Sequence, residues 1–529
     1  MEQPRVLVKP SRRAVLTAAT AGALVPRAVL AQPAPAPALP RQRVEAALPQ
    51  LQQLAEEARQ RTGIPGMAIA VVYEDEVIYL EGFGVREEGK PDAVDPDTVF
   101  QLASLSKPIA ATVVAALVGN GVVGWDDPIV RHDPGFEMHD AWVTRQVTLR
   151  DFLAHRSGLP DHAGDALEDI GYDRAQILYR LRFQKPDSSF RSHYAYTNFG
   201  FTEAAIAAAM ASGRSWADVS AELLYRPLGM HRTSSRFADF TAAPNRASGH
   251  VQVAGKWVAK YTRNADAQSP AGGASSSAQD MAMWLRLQLA GGRFAGKQIV
   301  VAEPLDETHR PQIVRTPPKN PAVDHAGFYG LGWNIDYDAD GRVHWGHSGG
   351  FDLGAATSVS LLPAERLGIV ALTNAQPIGV PEAVGRSFFD IVLTGKVEKD
   401  WLSLYGQLMA ATLAPGYGTA VDYTKPPAQP SPALPAAAYA GTYHNDLYGP
   451  IVIATGDMGL VVKLGPAQQP YPMQHFDRDV FTYQPAGENA AGPSGVSFTI
   501  GADQQARAVT IENLDTHGQG TFDRVAAVK

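Results

Sequence analysis

Ser104 and Lys107 stand three residues apart, in the spacing S-x-x-K, inside the stretch V-F-Q-L-A-S-L-S-K-P-I-A that runs from Val99 to Ala110. A serine hydroxyl is a weak nucleophile at neutral pH, and a lysine amine held in a partly desolvated pocket can lose its own proton and accept one from it. Three residues apart on a helix, the two side chains share a face. Pro108 lacks an N–H and is tolerated cheaply only near a helix start, so the spacing predicts a helix beginning close to Ser104 and running through the apolar segment Ile109–Val118. The positive end of that helix would favour an alkoxide. An N-cap serine beside a solvated lysine has the same spelling, so the pair needs company before it means chemistry.

Two further stretches supply candidates. Ser192–Gly200 presents Tyr196 and Asn198 on a loop ahead of a helix expected from Thr202. Trp345-Gly346-His347-Ser348-Gly349-Gly350-Phe351 can be read in two ways. As G-x-S-x-G it is a nucleophile elbow with Ser348 as nucleophile, which requires a strand-to-helix turn, whereas Gly354–Pro363 reads as a strand closed by proline. As an edge strand it lays His347, Ser348 and Gly349 along the wall of a cleft, with glycines at 349 and 350 allowing a substrate carbonyl close to the backbone. His155, in the last turn of a short helix expected over Thr148–His155, reads as a carbonyl partner or dipole cap rather than a base. The chain has 14 histidines but no H-E-x-x-H or H-x-H-x-D-H run, so neither a metal nor another cofactor is expected.

Ser104-x-x-Lys107, Tyr196-x-Asn198 and His347-Ser348-Gly349, in that order, resemble the serine β-lactamase and penicillin-binding protein superfamily. The tyrosine of the second motif and the histidine of the third look like the branch that holds class C β-lactamases, D-Ala-D-Ala carboxypeptidases, D-aminopeptidases and related esterases. Leu153–Leu159, Pro227–Met230 and Tyr329–Trp333 are similar to the same branch, and the likeness covers Val44–Leu393. It implies an acyl-enzyme on Ser104, with proton transfer shared by Lys107 and Tyr196, either of which could be the base. It also implies an oxyanion hole from the N–H groups of Ser104 and Gly350, Asn198 on a substrate amide, and His347 with Ser348 shaping the leaving-group side. Class C β-lactamases usually carry lysine where His347 stands, and a neutral imidazole holds a carboxylate less firmly than a fixed cation. Asp352, near the same cleft, could accept a substrate amine or be a solvated loop aspartate. The substrate could be a D-amino-acid peptide, an ester or a β-lactam. A catalytically silent protein that keeps the cleft to bind peptidoglycan fragments is the rival reading.

The elements that must position these groups are those of an α+β fold. An antiparallel sheet flanked by helices, with an all-helical subdomain, is expected over residues 44–415. Its parts are a helix over Val44–Thr62, a hairpin of Met67–Tyr73 with Val77–Tyr79, and helices over Asp173–Arg182, Thr202–Ser212, Ser215–Leu224 and Met281–Leu289. Trp125–Thr148 reads as loop, Pro270–Gly273 as a flexible loop, and Tyr329–Trp333 as the opening of a strand. Strands over Arg342–Trp345, Ala355–Leu362 and Leu367–Thr373 and a helix over Pro381–Leu393 complete the domain. Residues 416–436 are a Pro-rich linker, and the short apolar segments of residues 437–529 predict a small antiparallel β-barrel, similar to the lipocalin-like domain appended to some superfamily members.

Composition excludes other classes. With 529 residues, 45% hydrophobic and 19% charged, the chain is long enough for two or three domains, and a net charge of −8 without a basic run argues against a nucleic-acid partner. The absence of cysteine rules out disulfides and thiolate catalysis. Ser11-Arg12-Arg13-Ala14-Val15-Leu16 followed by an apolar segment to Ala31 reads as a twin-arginine signal peptide over residues 1–31, then a Pro/Ala-rich tether over 32–43. No other apolar run is long enough for a membrane span, so a periplasmic or secreted protein is expected.

Overall fold

The computed structural model describes residues 39–457 and 459–526. The expected signal peptide and residues 32–38 of the expected tether lie outside them. The tether is shorter than its composition implied, because helix α1 (Arg41–Thr62) begins at Arg41. Its buried positions Val44, Ala47, Leu51, Ala55 and Ala58 recur at helical spacing, and Gly63 ends it at φ 67°, where a left-handed residue carries no Cβ cost.

The chain then lays down the hairpin β1 (Gly66–Tyr73) and β2 (Glu76–Gly84), the helix α2 (Ser106–Gly119), the helical subdomain with α3 (Asn198–Ala211), and α4 (Ala278–Leu289). Six strands follow: β3 (Ile313–Thr316), β4 (Gly327–Tyr329), β5 (Asn334–Tyr337), β6 (Val343–Phe351), β7 (Ala355–Leu362) and β8 (Leu367–Thr373). They join the hairpin in one antiparallel sheet of order β2-β1-β8-β7-β6-β5-β4-β3. Strand β1 is buried on both faces, which explains its unbroken apolar run. Met67, Ile69 and Val71 pack with α1 and with α5 (Val380–Thr394), while Ala68, Ala70 and Val72 join the main core with α2 and α4. Helix α2 is buried from Ser106 to Leu117, consistent with a sequence apolar on all sides.

Several elements differ from the sequence expectation. Residues 141–146 form a short helix because the Asp140 carboxylate accepts from the N–H groups of Trp142 and Val143. Helix α3 starts at Asn198, so Asn198 belongs to a buried first turn rather than to a preceding loop. Pro270–Gly273 is not a flexible loop, since Ser269–Gly272 is a buried helical turn. Tyr329–Trp333 ends one strand and turns toward the next. Gly332 sits at φ 78° in that turn, where a Cβ would lie 2.8 Å from the Lys107 carbonyl. Helix α6 (Trp401–Thr412) was not expected, although Trp401, Leu404, Tyr405 and Leu408 recur at helical spacing; none of its residues is buried.

Nine strands between Gly441 and Arg524 form the C-terminal sheet. Its two end strands, Gln469–Pro472 and Gln474–Asp477, are consecutive in the chain, so the barrel is nearly closed. The barrel docks on the helical subdomain. Tyr172 donates to the Tyr448 carbonyl at 2.8 Å, and the Arg180 guanidinium donates to the carbonyls of Asp446 and Leu447 at 3.0 Å each. One continuous buried cluster runs from the inner face of the eight-stranded sheet through the helices into the barrel interior.

Candidate active site

Ser104 lies in a 3-10 turn, Ala103–Leu105, that leads straight into α2. Ala103, immediately before it, is held at φ 48°, a costly conformation for a residue with a Cβ and one that persists only where the surroundings enforce it. Three contacts do so. Leu102 N–H donates to the Ala274 carbonyl at 2.9 Å, Thr357 on β7 donates to the Leu102 carbonyl at 2.7 Å, and Ser106 accepts from Ala274 N–H at 2.9 Å. Gly349 on β6 presses against the same turn: a Cβ there would lie 2.3 Å from the Leu102 carbonyl oxygen and 2.9 Å from Leu105 N.

Lys107, the second residue of α2, is fully buried. Its Nζ has three oxygen neighbours: Asn198 Oδ1 at 2.7 Å, the Ala271 carbonyl at 3.0 Å and Ser104 Oγ at 3.2 Å. The first two can only accept. A neutral amine has two N–H groups to give them, which leaves its lone pair for the Ser104 hydroxyl. Burial lowers the Lys107 pKa to about 7, against a smaller opposing pull from Asp165. Asn198 can be oriented in only one way, because its Nδ2 donates to Asp165 Oδ2 at 2.9 Å and a carboxylate takes the N–H end. The same oxygen receives His162 Nδ1 at 2.8 Å. Desolvation works against the charge on His162, but the hydrogen bond and charge of Asp165 outweigh it and hold the imidazole at about 9.

Tyr196 donates to Ser104 Oγ at 2.7 Å. Burial pushes its phenol well above the usual range, with the Ser104 hydrogen bond opposing, so the group is a donor and not a phenolate. Its loop is fixed by His155, whose carbonyl accepts from Ala195 N–H at 2.9 Å and whose Nδ1 accepts from Thr197 N–H at 3.1 Å. His155 is therefore a buried scaffold, but not the carbonyl partner or dipole cap expected: the helix ends at Leu153, and the ring accepts from an N–H.

His347 lies on β6, buried, with its ring 6.5 Å from that of Tyr196. Its Nδ1 is 2.6 Å from the Ser348 carbonyl, an acceptor, so Nδ1 carries the proton. Nε2 then accepts from Tyr329 O–H at 2.9 Å. Burial, helped by the nearby Lys107, pushes the imidazole down to about 3. Both nitrogens are committed to protein groups and the ring is neutral, so His347 reaches the cleft only through the backbone it braces. Ser348 is half-buried and Gly350 exposed beside the Pro377 ring. Strand β6 is not an edge strand. It pairs with β7 from Trp345 to Phe351, but β5 pairs with it only as far as Gly346, so one side of residues 347–351 is left without a strand partner. Ser348 sits within an antiparallel strand with no helix after it, which removes the nucleophile-elbow reading.

All eight candidate residues thus belong to one region, and the sequence missed several partners. The Ala271 carbonyl, Asp165, His162 and Tyr329 carry no local signal of their roles. Among the described residues no group of His, Asp and Glu side chains has the arrangement of a metal site.

This chain belongs to the β-lactamase family, whose match spans residues 51–387, more than half of its length. Residues 425–523 match a domain of unknown function, DUF3471. Similar relatives include an unguisins hydrolase from Aspergillus campestris, 28% identical over 76% of this chain and 77% of that protein. Penicillin-binding protein 4 of Amycolatopsis lactamdurans is 26% identical over 72% and 94%. The D-alanyl-D-alanine-carboxypeptidase/endopeptidase AmpH of Escherichia coli is 24% identical over 60% and 81%. The octameric penicillin-binding protein homologue from Pyrococcus abyssi superposes with a TM-score of 0.58 over 88% of this chain and 98% of that one, at 18% identity, a likeness of fold. Family and relatives together make the chain a hydrolase of the serine β-lactamase and penicillin-binding protein type.

Proposed function

We propose that this protein is an exported peptidase or esterase that cleaves an amide or ester bond through an acyl-enzyme on Ser104. The observation that carries it is the meeting of Tyr196 OH at 2.7 Å and Lys107 Nζ at 3.2 Å on one half-buried serine oxygen. Lys107, neutral with its lone pair toward Ser104, is the general base. As Oγ attacks the carbonyl carbon, its proton passes to Nζ, and collapse of the tetrahedral adduct returns that proton to the leaving nitrogen or oxygen. Water then enters where the leaving group stood, gives a proton to the same amine and attacks the acyl carbon; as this second adduct collapses, the amine returns the proton to Ser104 Oγ and the acid leaves. Tyr196 donates a hydrogen bond at the reacting oxygen, and the N–H groups of Ser104 and Gly350 are assigned to the oxyanion; one such donor contributes about 3 kcal/mol. Asn198 orients the amine and borders the substrate. His347, Ser348 and Gly349 form the wall along which the substrate lies, with His347 acting as a positioning residue.

A neutral His347 with both nitrogens engaged offers no cation to a substrate carboxylate. That favours an internal peptide bond or an ester over a β-lactam. One relative, AmpH of Escherichia coli, is named a carboxypeptidase/endopeptidase, which supports a peptide substrate. Export is inferred from the twin-arginine pattern at Ser11–Leu16. Purified Ser104→Ala protein should lose at least ~10³-fold in turnover of peptide and ester substrates. Retained turnover in that variant, or a wild-type protein that binds peptides without cleaving any, would contradict the proposal.

A further inference from the structure

Between the catalytic domain and the barrel lies a cavity of about 370 Å³. His162 and Asp165 form part of its wall, and so does Asp352, at the tip of the hairpin that follows Gly350. His162 lies 5.6 Å, ring to ring, from Tyr196, so one wall residue of the cavity packs beside the tyrosine that donates to Ser104.

Two kinds of group face each other across it. The barrel contributes Tyr448, Tyr471 and Tyr483, and the last two meet edge to face at 5.5 Å and 72°, making an aromatic corner. The catalytic domain contributes Asp161, Asp165, Asp169 and Asp352, and no lysine or arginine lines the space. Asp169 is fully used, accepting from Glu488 N–H at 2.8 Å, Asn489 N–H at 3.0 Å and Asn489 Nδ2 at 2.9 Å. The others are not. Asp165 Oδ1 is buried without a partner, and the Asp352 carboxylate makes no hydrogen bond or ion pair with any described residue. Nearby cations do not answer this need: His162 is bound to the other oxygen of Asp165, and Arg263, behind the wall, is paired with Glu168 at 2.6 Å and Glu488 at 3.6 Å. His517 and Tyr417 are the remaining titratable groups on the lining. Burial uncompensated by any cation holds the Asp352 carboxyl up at about 6.

Tyrosine faces attract a cation and cover its apolar stem, while an unpaired carboxylate supplies its counter-charge. We infer, on the serine-hydrolase reading above, that this cavity is a substrate subsite for an alkylammonium group, of the kind a lysine side chain carries, and that the barrel supplies its aromatic wall.

The test uses the full-length protein and paired peptides that differ only in lysine against norleucine, placed in turn on either side of the scissile bond. At one of the two positions kcat/KM for lysine should exceed that for norleucine by at least tenfold. Asp352→Asn and, separately, Tyr471→Leu should bring that ratio close to 1. Calorimetric binding of the same pairs to Ser104→Ala should show the same preference without turnover. Equal kcat/KM at both positions, with turnover still dependent on Ser104, overturns the subsite and leaves the hydrolase. A binding preference lost in Asp352→Asn, in a protein that cleaves nothing, supports the subsite and overturns the hydrolase. A preference that survives both substitutions places the ammonium elsewhere and overturns the inference.

Discussion

At the scale of single residues, the site is an arrangement of protons. Asn198 and the Ala271 carbonyl take the two N–H bonds of a neutral Lys107, and Tyr196 occupies one lone pair of Ser104, so the serine proton has one partner left, the amine. With the Lys107 pKa at about 7, the amine is protonated and unable to act as a base below that pH. The sign follows directly: kcat/KM should rise with pH through about 7 and then level off, because Tyr196 remains a phenol. Asp165 raises the Lys107 pKa, so Asp165→Asn should move the acidic limb to lower pH. An unmoved limb in that variant would show that the amine does not set it. Ser104 and Lys107 were legible in the sequence because i,i+3 neighbours on a helix need no tertiary information. Asp165 was not, since in sequence it is one more acidic residue in a short helix. Its role arises only where α3 brings Asn198 against it.

At the scale of elements, the site depends on β6 pressing against the turn that carries Ser104. Gly349→Ala would put a methyl 2.3 Å from the Leu102 carbonyl and 2.4 Å from the Thr357 hydroxyl, and the Leu102 backbone cannot yield without shifting the nucleophile or the oxyanion N–H groups. The variant should lose ~10²–10³-fold in kcat, the magnitude seen when an oxyanion donor is misplaced, together with a lowered Tm. Gly350→Ala meets only Pro377 ring carbons and should be milder. Equal effects of the two substitutions would contradict the close approach. Strands with continuous apolar runs, such as β1 and β8, and the largely apolar α2 were readable because burial on every side leaves that mark. Ser269–Gly272 was misread because proline and two glycines spell a loop, while its buried helical turn is imposed by packing against α2 and α3. His347 was expected at an edge because the pairing that makes its strand internal stops at Gly346, a limit set by the partner and not by its own sequence.

At the scale of the whole molecule, the barrel is part of the working face. Its loop at residues 485–492 is held to the catalytic domain by the Asp169 carboxylate and by Glu488, which accepts from Asp352 N–H at 2.6 Å. Asp169→Ala removes three hydrogen bonds at once, each worth about 1 kcal/mol net. Hydrogen exchange over residues 485–492 should accelerate in that variant while the barrel strands keep their protection. Unchanged exchange in the loop would mean that other contacts hold it. The presence of a C-terminal barrel was legible in short apolar segments spaced by turn residues, but its docking was not, since polar loop residues such as Glu488 and Asn489 give no sign of the surface they meet.

The central claim, that one serine activated by one buried amine does the chemistry, is tested most directly by covalent labelling with a fluorophosphonate, with the modified residue located by mass spectrometry across a pH series. The account predicts a single adduct on Ser104, formed at a rate that rises through about pH 7 and is lost in Lys107→Met. An adduct on Ser348, or labelling of Ser104 that persists undiminished without the amine, would contradict it.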